Sequence, residues 1–266
     1  MKIGFIGTGN MGGALARAAA KGGHTLLLAN RTPAKAEALA QELGGTVCPN
    51  AQAAETAELL FLGVKPQGLP GLAGELAPVL QARKGNAPVV VSMATAVTLR
   101  ELDAMLGGGL PLIRIMPNTP AAVGAGTILY AAQNVTDAQL SAFRAVLAQA
   151  GLLLPLPEAQ IDAASAISGC GPAFCFQFAD ALALGGVRAG LSYPDACRLA
   201  AQTMLGAAEM LLQGGEAPDV LKMRVCSPAG TTIEGVLALE QGGFSYTVQN
   251  AVTAAYRRTV DMTKKG

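Results

Sequence analysis

The chain has 266 residues, is 51% hydrophobic and 14% charged, and carries a formal net charge of +1. That length allows one large domain or two ordinary ones, with more apolar material than a monomer needs and hence a hint of a buried subunit interface. The absence of basic or acidic runs excludes nucleic acid and anionic membrane surfaces as partners, and no stretch reaches the roughly 18 apolar residues expected of a membrane span.

The chain opens on a strand-like run, Lys2–Ile6, with neither the apolar stretch nor the cleavage site of a signal peptide, so a cytoplasmic location is expected. Further strands are predicted at Thr25–Ala29, Leu59–Leu62, Val89–Ser92, 112–116, 127–131 and 152–154. Several are continuously apolar, as in strands covered on both faces. Helix starts lie between them. Thr32-Pro33 reads as an N-cap followed by proline, and Thr98-Leu99-Arg100-Glu101 and Thr136-Asp137-Ala138-Gln139 read as capping boxes. Alternating strands and helices over residues 1–157 predict a doubly wound, mostly parallel sheet. Strand patterning then stops. Ser192 through Asp195 and Thr231-Thr232-Ile233-Glu234 read as helix caps, and residues 158–266 are expected to form an all-helical second domain.

Gly7-Thr8-Gly9-Asn10-Met11-Gly12 follows the first strand and opens a helix, the context in which a glycine-rich turn binds a dinucleotide in a Rossmann domain. The first glycine permits the turn, the second lets backbone approach a pyrophosphate, and the third lets helix and strand pack closely. The second strand ends at Ala29-Asn30-Arg31-Thr32. An acid here would bond the ribose 2′-hydroxyl of NAD; Arg31, flanked by Asn30 and Thr32, instead suits a 2′-phosphate and favours NADPH, with NADH left open. Lys65, in Gly63-Val64-Lys65-Pro66 at the next strand end, reads equally as a ribose contact or a solvated lysine. The five cysteines are odd in number and scattered, with no Cys-x-x-Cys pair, so reduced thiols and no metal site are expected. The only histidine, His24, lies on a turn and argues against histidine catalysis.

Longer motifs follow in order: Arg114-Ile115-Met116-Pro117-Asn118-Thr119-Pro120, then Val123-Gly124-Ala125-Gly126; Ser168-Gly169-Cys170-Gly171-Pro172-Ala173-Phe174; Ala201-Gln202-Thr203; Ser227-Pro228-Ala229-Gly230-Thr231-Thr232; and Leu239-Glu240-Gln241-Gly242-Gly243-Phe244. With the amino-terminal glycine motif and Val64-Lys65-Pro66, they make the chain resemble the pyrroline-5-carboxylate reductase family along nearly its whole length. The resemblance implies reduction of 1-pyrroline-5-carboxylate to L-proline with NADPH or NADH. It also implies a homodimer interlaced through the helical domain, with assembly beyond a dimer left open. It places cofactor contacts on residues 7–12, Asn30, Arg31, Asn50, Val64, Lys65, Pro66, Met93, Ala94 and Thr95, and substrate contacts on residues 227–232, with Glu158 a weaker candidate. Four positions depart from the family pattern: Ala229 and Ala96 stand where glycine is frequent, and Cys170 and Phe174 where serine and tyrosine are common.

A ring imine that binds already protonated needs no strong acid; it needs to be held at about 3–3.5 Å from the hydride donor with its carboxylate neutralised. The 227–232 loop enters a helix, so free N–H groups of Gly230, Thr231 and Thr232 suit the carboxylate, Ser227 adds a hydroxyl, and Thr232 can bond the ring nitrogen as the catalytic candidate. The competing reading is a plain helix start, capped by Thr231 with Glu234. Two other functions stand beside this one. A β-hydroxyacid dehydrogenase shares the Rossmann start but needs a lysine in the second domain, and no lysine occurs from Gly85 to Leu221. A non-catalytic NADP-binding sensor is compatible with the dinucleotide motif but gives the 227–232 loop no task.

Overall fold

The computed structural model describes residues 1–83 and 85–263. Packing divides the chain into two compact bodies: Met1–Cys170 together with the chain end from Tyr256, and Gly171–Ala255.

In the first body the strands are β1 (Lys2–Ile6), β2 (Thr25–Ala29), β3 (Thr46–Val47), β4 (Leu59–Leu62), β5 (Val89–Ser92), β6 (Leu112–Pro117), β7 (Gly126–Gln133) and β8 (Gly151–Pro155). They form one sheet in the order β3-β2-β1-β4-β5-β6-β7-β8. All neighbours are parallel except β6 and β7, which run antiparallel with Ile115 opposite Tyr130. The chain leaves β1 first toward β2 and later toward β4, so the order reverses between β1 and β4, where a doubly wound sheet opens its ligand crevice. The seven expected strands all form. The short β3 has no expectation behind it, because it is two exposed residues at the sheet edge and leaves no apolar run to read.

The helices are α1 (Asn10–Ala20), α2 (Pro33–Leu43), α3 (Asn50–Thr56), α4 (Leu69–Ala82), α5 (Leu99–Met105), α6 (Asp137–Leu147) and α7 (Glu158–Ser168). Both sheet faces are covered, which is why the central strands are apolar at every position. One layer gathers Ile6, Leu60, Leu62, Leu76, Val90 and Leu112; the other gathers Phe5, Leu15, Phe61, Val91, Ile113 and Phe143. Register sets Phe5 opposite Phe61, and their rings stack at 4.6 Å between centroids. The capping boxes at Thr98 and Thr136 both form.

α7 belongs to this body, although the change in sequence pattern at Pro157 precedes it. Arg114 on β6 and Asn118 just after it hold α7 to the sheet. Arg114 Nη2 bonds Asp162 Oδ1 at 2.5 Å, and Asn118 Nδ2 donates to the Ser168 carbonyl at 2.8 Å. The packing seam therefore falls after Cys170 rather than at 157.

The second body holds α8 (Gly171–Arg188), α9 (Tyr193–Gly214), α10 (Pro218–Val225), α11 (Thr231–Gln241) and the start of α12 (Phe244–Thr263). Ser192 caps α9 by accepting the Asp195 N–H. α8 and α9 pack through small residues, Gly186 against Ala196. Among the described residues of this body only Ala183, Ala196 and Ala200 are buried. Large apolar side chains lie open instead, Phe176 at 70% and Leu212 at 79% exposure among them. A helical body with so small a core of its own does not offset its conformational entropy unaided. The run Glu158–Arg188 is long and apolar enough to cross a membrane by length and composition, against the expectation that no stretch is. It exceeds the expectation because α7, with its Ala and Ile, and α8, with its Ala, Phe and Leu, follow each other with only a short turn between them.

Candidate active site

The glycine motif lies between β1 and α1, and each glycine has its own reason. Gly7 has a φ of 98°, and a Cβ there would strike the Gly63 backbone at the end of β4. A Cβ on Gly12 would strike the Gly7 carbonyl oxygen, so α1 crosses the turn in direct backbone contact. Above Gly9 nothing lies within 4 Å. That open position is where a ligand reaches the backbone.

The turn is braced by Asn30. Its Oδ1 accepts the Thr8 N–H at 3.1 Å, and its Nδ2 donates to the Thr32 carbonyl at 2.9 Å. The Thr8 hydroxyl is buried with no partner. α1 begins at an N-cap, Gly9, that supplies no side-chain bond. The first N–H groups of the helix are thus open and bear the positive end of its dipole. A cleft of about 260 Å³ adjoins them, lined by Thr8, Gly9, Asn10, Arg17, Lys35 and Glu42. Arg17 and Glu42 close one side as a two-bond pair at 2.6 and 2.7 Å. That bond raises the guanidinium above its ordinary pKa and lowers the carboxylate below its own. An orphaned buried hydroxyl, uncapped amides and open space over one glycine fit a pyrophosphate.

The remaining cofactor candidates follow the carboxyl ends of adjacent strands. Arg31 is exposed after β2, where Thr32 is the N-cap of α2 without a side-chain bond and Pro33 stands in the first turn. Asn50 opens α3 after β3, and its amide donates to Glu75 on α4 at 3.1 Å. After β4, Val64 packs on the core while Lys65 is exposed at the start of a short 3₁₀ turn with Pro66. After β5, Ala94 N–H reaches the Ser92 hydroxyl at 3.3 Å and the Thr95 hydroxyl reaches Met116 Sδ at 4.0 Å; Met93 packs on the second core layer. These loops form one rim because β3, β2, β1, β4 and β5 are consecutive in the sheet and parallel. Ala96, in the last loop, has a φ of 62°. It holds a left-handed conformation at a position where glycine is frequent in the family pattern, at a cost of about 1–2 kcal/mol.

The 227–232 loop lies in the second body, between α10 and α11. The expected capping box at Thr231 and Glu234 does not form. The N-cap is Gly230, without a side-chain bond, because Gly230 N–H turns back to the Ser227 carbonyl at 3.0 Å and the helix starts at Thr231, one residue earlier than a Thr231 cap would give. That turn also commits the Gly230 N–H, which leaves the amides of Thr231 and Thr232 as the free donors of the helix start. Ala229 sits in the turn with a φ of 54°, again where glycine is frequent. Ser227 and Thr231 are exposed, and Thr232 is half-buried.

Glu158 opens α7 in the first body. Its Oε1 accepts the Leu99 N–H at 2.6 Å and lies 3.4 Å from Arg114 Nη1. Arg114 itself escaped sequence reasoning except as part of a motif. Its side chain is 3% exposed, two carboxylates face it, and its Nε has no partner. The signal was present: a cation inside an apolar strand needs buried partners, and Glu158 and Asp162 stand four apart on one helix face. Among the described residues no group of three or more His, Cys, Asp or Glu is placed to hold a metal.

A glycine turn at the point where the strand order reverses, with an arginine and no acid after the second strand, defines a nicotinamide-dinucleotide oxidoreductase of the Rossmann type. Residues 2–96 match the family model for NADP oxidoreductase coenzyme F420-dependent, and residues 158–262 that for pyrroline-5-carboxylate reductase dimerisation. A pyrroline-5-carboxylate reductase of Synechocystis is 41% identical over 220 residues, covering 81% of this chain and 79% of that one. The pyrroline-5-carboxylate reductase structure from Coxiella burnetii superposes with a TM-score of 0.90 at 32% identity over 97% of both chains. That of the Plasmodium falciparum pyrroline carboxylate reductase with NADP bound gives 0.86 at 29% identity over 99% of both. The chain belongs to the pyrroline-5-carboxylate reductase family.

Proposed function

We propose that this chain reduces 1-pyrroline-5-carboxylate to L-proline with NADPH, the last step of proline biosynthesis. The observation that carries the reading furthest is the uncapped start of α11, two free amides and two threonine hydroxyls with no competing cap. When bound, NADPH supplies the hydride that reaches the imine carbon. Residues 7–12 bind its pyrophosphate, with the buried Thr8 hydroxyl finding its missing partner there. Arg31 takes the 2′-phosphate, braced by Asn30. Asn50, Val64, Lys65, Pro66, Met93, Ala94 and Thr95 line the rest of the cofactor. In the loop, the Thr231 and Thr232 amides hold the substrate carboxylate and Ser227 adds a hydroxyl. Thr232 Oγ orients the ring nitrogen, which enters protonated, becomes a neutral secondary amine on hydride transfer, and takes the second proton of proline's ammonium from solvent. No side chain has to deliver a proton, consistent with the lack of histidine or lysine on this loop.

The work divides at 157/158 between cofactor binding and substrate binding with dimerisation. The open apolar faces of the helical body take a second copy of the chain, so the protein is a homodimer, and it is cytoplasmic. Sedimentation at low micromolar concentration then shows no folded monomer; an active monomer refutes the pairing. The function is tested by following NADPH oxidation with 1-pyrroline-5-carboxylate beside a panel of β-hydroxyacids run in the oxidative direction. Turnover of the imine alone is expected. Turnover of a hydroxyacid instead, or NADPH binding with no turnover, refutes it.

A further inference from the structure

The loop from residue 93 to 98 joins β5 to α5 and carries three of the proposed cofactor contacts. It holds Ala96 in a left-handed conformation, φ 62°. Strain of that kind persists only where the surroundings over-determine it. The ties are specific. The Thr95 hydroxyl meets Met116 Sδ in mid-loop. At the loop's end Thr98 forms its box with Glu101, and the Thr98 hydroxyl, then its N–H, hold that carboxyl below its ordinary pKa. The next amide, Leu99, finds its acceptor 59 residues away in Glu158, at 2.6 Å. Arg114 Nη1 lies against the same carboxylate oxygen, and its Nη2 is anchored on Asp162. Arg114 and Met116 are two apart on β6 and share one face of the sheet, so one strand controls both the middle and the end of the loop.

We propose that Arg114 and Glu158 are positioning residues for the nicotinamide half of the cofactor. The buried guanidinium aims the Glu158 carboxylate at the Leu99 N–H, and that bond fixes the loop presenting Met93, Ala94 and Thr95. Glu158 thus acts on the cofactor through the loop rather than by touching the imine substrate. The inference rests on the cofactor reading given above.

The test is a fluorescence titration with NADPH, with no imine present, on the wild type, E158A and E158Q, paired with hydrogen exchange over residues 94–99 and with the melting temperature and the KM for the imine measured separately on the same preparations. Loss of one positioning bond in E158A is expected to weaken NADPH about tenfold, and to speed exchange in the loop. E158Q keeps an amide oxygen that accepts from Leu99 and is expected to recover most of the affinity. E158D keeps the charge beside Arg114 but falls a methylene short of Leu99; it takes the place of E158A if that variant does not fold, with the same expected loss. A merely structural Glu158 lowers the melting temperature and leaves NADPH affinity unchanged. A substrate contact raises KM for the imine alone. Either pattern overturns the proposal, as does an E158Q as weak as E158A. A wild type that does not bind NADPH refutes the cofactor reading and this inference together, whereas equal binding by wild type and E158A refutes only the inference.

Discussion

Replacing Gly9 and Gly12 separately by alanine separates what the glycine turn does for the cofactor from what it does for the fold. At Gly9 the backbone has φ −71° and ψ −166°, which alanine adopts freely, and an added Cβ meets nothing within 4 Å. The unfolded chain loses about 0.4–1 kcal/mol of entropy to the new side chain, and the weaker N-cap costs a similar amount. The melting temperature therefore moves by no more than about 2 °C. The methyl occupies the space assigned to the pyrophosphate, so NADPH affinity falls about 10- to 100-fold, or 1.4–2.7 kcal/mol. At Gly12 the new Cβ would lie under 3.0 Å from the Gly7 carbonyl oxygen. A backbone atom has to move, at about 1–3 kcal/mol, and the melting temperature drops by roughly 3–10 °C with affinity. Scanning fluorimetry and NADPH titration on the same preparations give both numbers. A Gly9→Ala variant with wild-type affinity refutes the placement of the pyrophosphate. A Gly12→Ala variant as stable as the wild type refutes the packing argument.

Three further outcomes are expected. Arg31→Asp replaces attraction of the 2′-phosphate by repulsion and weakens NADPH by about 1–3 kcal/mol while barely changing NADH, as dissociation constants for both cofactors will show. Thr232→Ala removes no cap, since the N-cap is Gly230, so stability and NADPH affinity hold while kcat/KM for the imine falls about 10- to 100-fold. Normal kinetics in that variant remove Thr232 from the reaction. Ala96→Gly and Ala229→Gly each relieve a left-handed alanine worth about 1–2 kcal/mol against roughly 0.4–1 kcal/mol of added unfolded-state entropy. Each is expected to raise the melting temperature by up to about 4 °C, and a fall in either contradicts the strain.

What could be read from the residues was local or periodic. The strands of the first body announced themselves because both faces are buried, so Leu59–Leu62 and Val89–Ser92 are apolar without interruption. Thr98 with Glu101 and Thr136 with Gln139 formed the boxes their spacing predicts. The same signature at Thr231 and Glu234 failed because the turn before it decides which residue becomes the cap. Gly230 bonds back to Ser227 and takes that place. The family resemblance marked Ala96 and Ala229 as departures, but only backbone angles show that both departures fall on left-handed positions. The Arg114 cluster showed only its two halves, a cation in an apolar strand and two carboxylates four apart on a helix, and nothing in the sequence joins them. Its carboxylates lie 44 and 48 residues along the chain, and no period connects a strand to a helix at that separation.

The break in sequence pattern and the break in packing stand on opposite sides of α7, and that bears on how relatives can be recombined. A crossover at Pro157 would pair Arg114 and Leu99 from one parent with Glu158 and Asp162 from another. It would also set Asn118 of one parent against Ser168 of the other. A crossover after Cys170 keeps each of these bonds within a single lineage. Since the chain from Tyr256 rejoins the first body, the heritable cassette is the stretch Gly171–Ala255, an insertion with two junctions rather than a tail with one.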